Sequence, residues 1–331
     1  MRFSGIRTVA LSLALGLGSL HGALAADVKW DMANEYPPNN IHSEADQFFA
    51  KRLDELSGGS IKIVHQFGAA LGYRSKDQFD AVGDGAIPIA DTFSGALSGI
   101  NPLFLLSSLP FLTATADDSR ALHEAAKTDY EKAFADSNQI LLFVSPWPPS
   151  GLWGKTPLDS KASLSGLKMR TYDANGTITF KAAGASPVQL SFADVVPQLS
   201  AGGIDAVLNS AEGGVSSKYW EYLSDFTELN YCMPLNFIHL NKDVFDDLSD
   251  DQKAAVMKAA EETQAHIWEA VVERRAKNYE TMRANKIAIT DKISTDYADF
   301  LKEAGNVARQ KWLDAMGARG KEIMDTYLAK N

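Results

Sequence analysis

Along most of this chain, short runs with strand character alternate with stretches of helical periodicity. That alternation restricts the chain to a layered α/β architecture with largely parallel strand pairing. Residues 28–32 alternate like a strand, and 37–40 supply a Pro-Pro-Asn-Asn turn. Residues 42–56 then carry Ala45, Phe48, Phe49, Leu53 and Leu56 at helical spacing, before Gly58 and Gly59 stop the run. Strands at 61–64 and 87–91 flank a helix at 75–82, and Pro88 suits an edge or an end. Residues 103–112 read as a Pro-interrupted apolar loop and 117–135 as a helix. The near-continuous apolar strand at 140–144 is expected in the middle of a covered sheet.

The same reading continues to the C-terminus. Strands are expected at 168–170, 187–190 and 204–209, with helices at 175–183 and 192–200 closed by Gly184 and by Gly202-Gly203. Residues 145–155, rich in Pro, Gly and Trp, read as a crossing point between lobes, and a second crossing strand is expected within 234–241. Ser249 and Gln252 form a capping box that opens a long helix to about residue 285. Final helices are expected at 295–315 and 321–329. Asp243, Asp246, Asp247, Asp250 and Asp251 lack the glycine and glutamate of an EF-hand loop, so they read as solvated carboxylates at helix starts.

At 331 residues the chain is long enough for two lobes of ordinary size. With 45% hydrophobic and 22% charged residues it has the profile of a folded protein. A net charge of -10 repels nucleic acid, which is excluded as a partner. Arg2 and Arg7, the apolar run 9–18 and Ala23-Leu24-Ala25 describe an export signal cleaved after Ala25 or Ala26. The run is shorter than the ~20 residues a spanning helix needs, so the mature chain is expected free in the periplasm. The single cysteine, Cys232, precludes an internal disulfide, and its apolar neighbours predict a packing residue.

Motifs of catalysis are missing. There is no G-x-S-x-G elbow, no P-loop and no G-x-G-x-x-G, and His123-Glu124 lacks the second histidine of a zinc helix. A binding protein without cofactor or metal is therefore the reading, with an exported α/β enzyme as the alternative. Arg170 ends a short strand, and ligands of α/β sheets gather outside the carboxyl ends of strands. A guanidinium there can hold a carboxylate with two parallel hydrogen bonds. Asn209 ends another strand, and Phe93, Trp147, Trp153, Tyr172 and Phe192 crowd the expected crossing points. The competing reading makes Arg170 a surface ion-pair residue and the aromatics core.

Residues 164–170, Leu-Ser-Gly-Leu-Lys-Met-Arg, resemble the D-L-K-G-L-K-I-R signature of the periplasmic receptors of TRAP transporters, the DctP family. Residues 184–195 are similar to their G-A-x-P-V-x-L-P-F-x-E-V run, 199–206 to L-Q-T-G-V-V-D-G, and 108–112 to the D-L-P-F-L element. Leu240-Asn241-Lys242 and the helix start after Leu248 also fit. The resemblance implies a two-lobed periplasmic-binding-protein fold, type II-like, with crossing strands and a long helix spanning both lobes. One lobe would hold residues 26–146 plus about 235–275, the other 147–234 plus about 276–331. It also implies that Arg170 binds the ligand carboxylate, that Asn209 is a further contact and that Phe192 borders the pocket. The closed receptor would dock on small and large membrane subunits, with transport driven by a sodium gradient.

The chain departs from the family pattern where substrate is decided. No arginine occurs between Arg120 and Arg170, where members that take acid-rich ligands carry a second one. Trp147 and Trp153 occupy that stretch, and an indole offers a stacking wall instead of a carboxylate contact. The usual proline after the signature is Tyr172, and Phe93 replaces a small or acidic residue. The ligand is accordingly expected to be a monocarboxylate with an apolar or aromatic part. Glu35, Tyr36 and Asp173 are candidate polar helpers, or else turn and capping residues. A 2-oxo or hydroxy acid and an ectoine-like solute are alternatives, with dicarboxylates ranked lower. A monomer is expected.

Overall fold

The structure is a computed structural model that describes residues 28–329. The export signal expected at residues 1–25 lies outside the described residues. The chain opens with β1 (Val28–Asn34), α1 (Ile41–Leu56), β2 (Ile61–Gln66), α2 (Ser75–Gly83), β3 (Ile89–Phe93), α3 (Ala116–Ala135) and β4 (Gln139–Pro146). It continues with β5 (Ser150–Gly154), α4 (Lys161–Leu164), β6 (Lys168–Thr171), α5 (Ala174–Ala182), β7 (Ser186–Gln189), α6 (Val195–Ser200), β8 (Ala206–Ser210), α7 (Ala211–Ser216) and β9 (Asp225–Thr227). It ends with β10 (Leu235–Asn241), α8 (Lys242–Asp246), α9 (Asp250–Ala284), β11 (Ala288–Thr290) and α10 (Thr295–Leu328).

These elements make two sheets, the two halves of a two-lobed α/β fold. The first has the order β2-β1-β3-β10-β4 and the second β11-β9-β5-β8-β6-β7. In the first, β1 runs parallel to β2 and β3, while β10 is inserted antiparallel between β3 and β4. In the second, β6 lies parallel to β7 and β8, and β5 antiparallel to β8 and β9.

Local chemistry starts and orients the helices. The Asn40 side chain accepts from the His42 N–H and caps α1. Ile41, Ala45, Phe49 and Leu53 then recur every four residues and bury one stripe. Ser249 and Gln252 form the expected capping box on α9, a helix of 35 residues. At 1.5 Å per residue it is about 50 Å long, enough to reach along both lobes. Its Ala255, Val256, Ala259 and Ala260 pack with Phe49 and Leu53 of the first lobe, and its Met282 packs with Phe226 and Ile287 of the second.

The link from β4 to β5 and the link from β9 to β10 run side by side between the sheets. They are laddered by Trp147 N–H to Pro234 O (2.9 Å), Ser150 N–H to Cys232 O (3.0 Å) and Tyr231 N–H to Ser150 O (2.9 Å). This ladder and α9 run between the two lobes.

Five expectations are corrected. β4 is an edge strand, not a central one. Its apolar run reflects cover from α3 and α9, both of which pack on it. The apolar segment expected as a loop contains a 3-10 helix over Pro102–Ser108, capped by Asn101. The helix expected over 192–200 splits into a 3-10 turn, Phe192–Asp194, and α6. Residues 276–331 do not all pack with the second lobe: Trp312, Ile323, Met324 and Tyr327 join Phe104, Tyr130 and Phe237 in the first. The two expected C-terminal helices are continuous as α10 but break at Gly317, whose φ of 57° and ψ of -138° favour glycine.

Candidate ligand-binding site

A cavity of about 500 Å³ lies between the lobes. Its walls come from residues at or just past the ends of β1, β3, β6, β7 and β8 and from the crossing segment. That is where open α/β sheets place their ligands.

Arg170 sits in β6 between two parallel neighbours and is 3% exposed. Its Nε donates to Leu190 O (3.0 Å) and its Nη1 to Leu208 O (3.1 Å). Its guanidinium also lies 5.6 Å from the ring of Tyr172. Two carbonyls use part of a five-donor fork, and no carboxylate among the described residues forms an ion pair with it. Burial lowers its pKa from the ordinary value, with Tyr219 and Glu35 acting the other way. A buried cation with spare donors and no anion carries an uncompensated desolvation cost.

Asn209 stands at the end of β8, 5% exposed. Its Nδ2 donates to Tyr219 Oη (3.2 Å), and its Oδ1 accepts from the Ser210 N–H (2.9 Å). The start of α7 makes room for it, because a Cβ on Gly213 would lie 2.2 Å from Asn209 Nδ2.

Opposite these groups is Glu35, just past the end of β1 and fully buried. Its Oε1 accepts from Ser75 Oγ (2.6 Å), while Oε2 is buried without a partner. Burial raises its pKa, opposed by the Ser75 hydrogen bond, Arg170 and Arg74. Tyr36 pairs with Asn236, whose Nδ2 donates to Tyr36 Oη at 2.9 Å. Trp147 Nε1 donates to the same asparagine's Oδ1 at 2.8 Å. The Tyr36 ring meets Phe192 edge-on at 4.9 Å and Trp147 at 5.2 Å. Phe93 and Tyr172 make a second aromatic wall, 5.4 Å apart and near perpendicular. Tyr172 Oη is held by Ser150 Oγ (3.2 Å) and Cys232 Sγ (3.1 Å). Cys232 is buried, as expected, and burial pushes its thiol pKa well up.

Of the residues picked from sequence, Arg170, Asn209, Phe192, Tyr172, Phe93, Trp147, Glu35 and Tyr36 line the cavity. Trp153 does not. Its side chain lies in the second lobe's core against Tyr219 and Phe226, with Nε1 on Ser210 O at 3.1 Å. Asp173 does not line it either. It caps α5, accepting from the Gly176 N–H at 2.9 Å. Sequence reasoning missed Arg74, Lys76, Gln189 and Asp194, which come from the start of α2, the end of β7 and the 3-10 turn after it. Gln189 and Asp194 lie within the family-like run 184–195 but were not singled out from it, and three of the four are charged types normally read as solvated surface.

Two aromatic walls, one guanidinium without an ion pair and one unpartnered carboxylate oxygen thus face a cavity between two lobes, the layout of a solute-binding protein. A profile of the bacterial extracellular solute-binding proteins of family 7, DctP, matches residues 32–314. The chain belongs to that family, the periplasmic solute receptors of TRAP transporters. It is similar to a solved TRAP solute-binding protein from a marine metagenome, specific for pyroglutamate. The two share 32% identity and a TM-score of 0.87, over 92% of this chain and 99% of that one. It is also similar to DctP6 of Bordetella pertussis, an extracytoplasmic receptor binding pyroglutamic acid. Here identity is 29% and the TM-score 0.87, over 91% of this chain and all (100%) of that one. The ectoine-binding periplasmic protein TeaA of Halomonas elongata is 23% identical over 99% of this chain and 97% of its own.

Proposed function

We propose that this chain is the periplasmic receptor of a TRAP transporter and captures one small monocarboxylate that also carries an N–H group, a cyclic amide acid of the pyroglutamate kind. The observation that carries the reading is the buried pair of unmet needs across one cavity: Arg170 lacks an anion and Glu35 Oε2 lacks a donor. A ligand carboxylate on Arg170, steadied by Asn209, answers the first. A ring N–H on Glu35 answers the second. The aromatic walls of Tyr36, Trp147, Phe192, Phe93 and Tyr172 then hold an apolar ring between them. The pyroglutamate specificity of the marine protein and the binding of pyroglutamic acid by DctP6 support this choice over an aromatic acid. With the lobes closed, the receptor hands its ligand to the small and large membrane subunits. It acts as a monomer in the periplasm, without cofactor or metal, and catalyses nothing.

Titration calorimetry of the purified chain with pyroglutamate tests the proposal. Saturable one-site binding is expected. Arg170→Gln should weaken it by about 2–5 kcal/mol, roughly 30-fold or more, as for other desolvated charge pairs. Full affinity in that variant would refute the carboxylate clamp. A melting-temperature rise with uronates or dicarboxylates but not with pyroglutamate would refute the ligand class.

A further inference from the structure

Arg74 and Asp194 meet across the mouth of the cavity. Arg74 immediately precedes α2 in the first lobe, and Asp194 closes the 3-10 turn after β7 in the second. Arg74 Nη2 donates to Asp194 Oδ1 at 3.0 Å, and both residues line the cavity. Their side chains are 31% and 43% exposed, so the pair borders solvent on one side and the ligand space on the other. The bond to Asp194 is the main cause raising the Arg74 pKa, with Glu35 and Asp77 adding to it. Glu35 in turn feels Arg170, Arg74 and Asp194, so these four charges surround one volume.

The two cationic forks of the site are therefore not equivalent. Arg170 has no anion, whereas Arg74 already holds one. Lys76 and Asp77, side by side at the start of α2, add one charge of each sign. A ligand with one carboxylate meets the need of Arg170. A second carboxylate reaching toward the mouth meets Asp194 before it meets a free guanidinium. Binding Arg74 would displace Asp194 and leave that carboxylate unpaired beside Glu35 and Asp77.

We propose that Asp194 is a specificity-determining residue: by occupying Arg74 it excludes dicarboxylates from a site that has room and a second cation for them. Specificity of this kind comes from a built-in repulsion as much as from attraction. The inference rests on the monocarboxylate reading above and names the group that enforces it. It also explains how a site with two arginines in its walls can select a singly charged ligand.

The test compares the wild type, Asp194→Asn and the double variant Arg74→Gln/Asp194→Asn, using glutarate and pyroglutamate as probes. The melting curve of each ligand-free protein shows first that it is folded. Wild type should give no melting shift with glutarate. Asp194→Asn should bind glutarate about tenfold or more tightly than wild type, the scale of one added charge-assisted contact. The double variant should lose that gain. Glutarate binding to wild type, or no gain in Asp194→Asn, or a gain that survives removal of Arg74, would each overturn the proposal. If wild type ignores pyroglutamate while Asp194→Asn still gains glutarate through Arg74, the charge filter stands and only the ligand reading fails.

Discussion

The backbone N–H of Ile41 donates to Oε1 of Glu212 at 2.8 Å, joining the first turn of α1 in one lobe to α7 in the other. Glu212 is 1% exposed, yet its carboxylate is fully engaged. Arg274 of α9 grips it through Nε (2.6 Å) and Nη2 (3.0 Å), and Asn278 adds a bond at 2.8 Å. Arg274 also holds Glu44 of the first lobe, with Nη1 to Oε2 at 2.7 Å. Beside this knot, Asn40 Nδ2 reaches Ser216 Oγ at 3.0 Å. Burial opposes the charge on Arg274, but Glu212 and Glu44 outweigh it and raise its pKa.

Glu212→Ala would leave Arg274 with only Glu44 and the Asn39 carbonyl and would deprive the first N–H of α1 of its partner in the opposite lobe. The expected cost is about 3 kcal/mol, the scale for breaking a buried pair. Calorimetry should show a melting temperature lower by several degrees. Small-angle scattering of the ligand-free variant should show a larger radius of gyration than wild type. An unchanged melting curve and radius would mean the contact is not holding the lobes.

Two adjacent glycines separate site from core. A Cβ at residue 213 would lie 2.2 Å from Asn209 Nδ2, and one at 214 would lie 2.1 Å from Trp153 Cζ2. Gly213→Ala should weaken ligand binding by displacing Asn209, with a modest change in melting temperature. Gly214→Ala should cost about 1–3 kcal/mol by overpacking the second lobe. Equal effects of the two on affinity would argue against a role for Asn209 in the site.

Asp91 gives a pH signature. It accepts from Asn236 Nδ2 at 2.5 Å and from Asn34 Nδ2 at 3.3 Å, and its neighbour Asp46 is likewise buried. Burial raises the Asp91 pKa to about 7. A raised acid favours folding most below its unfolded pKa, near 3.9, and that advantage is lost as pH rises to about 7. His42, His123 and His239, whose pKa values burial lowers, act oppositely and cost stability as pH falls below about 6.5. The whole-protein profile therefore mixes both signs, and the variant removes the contribution of the Asp91–Asp46 pair as it stands in wild type. Asp91→Asn should gain on wild type, by up to a few kcal/mol, between about pH 4 and pH 7. A stability difference flat across that range would contradict the assignment.

Cys232 is fully buried and bonded to Tyr172. Labelling by an aromatic disulfide reagent should therefore follow global opening, with a rate that plateaus at the unfolding rate as reagent rises. A rate that stays linear in reagent and is fast in the folded protein would mean that motion between the lobes exposes this thiol.

Legibility in the sequence followed the range of the signal. Arg170 and Asn209 were readable because Arg170 closes the family-like run 164–170 and Asn209 stands at the end of the strand that follows the run 199–206. Periodicity placed α1, α3 and α9 to within a few residues, since their apolar stripes are local. Trp153 was misread because two tryptophans in one Pro- and Gly-rich stretch look alike, although one lines the cavity and the other the core. The central position expected for β4 failed because an apolar run reports cover on both faces, not partners on both edges. The Arg74–Asp194 pair could not be read, although Asp194 lies in a family-like run, because it exists only after residues 120 positions apart are brought together.

The place of β10 in the first sheet carries one more consequence. It separates β3 from β4 and is antiparallel to both, so the sheet has a gap at its centre until residue 241 has been made. Of what is synthesised before that point, β1 to β4 belong to a half-built lobe whose β3 and β4 edges have no strand to join them, while β5 to β9 belong to the second sheet. Such a nascent chain gains little from early collapse, because its stabilising contacts are long-range ones. The first sheet is thus completed late, by a strand that enters between two edges already made.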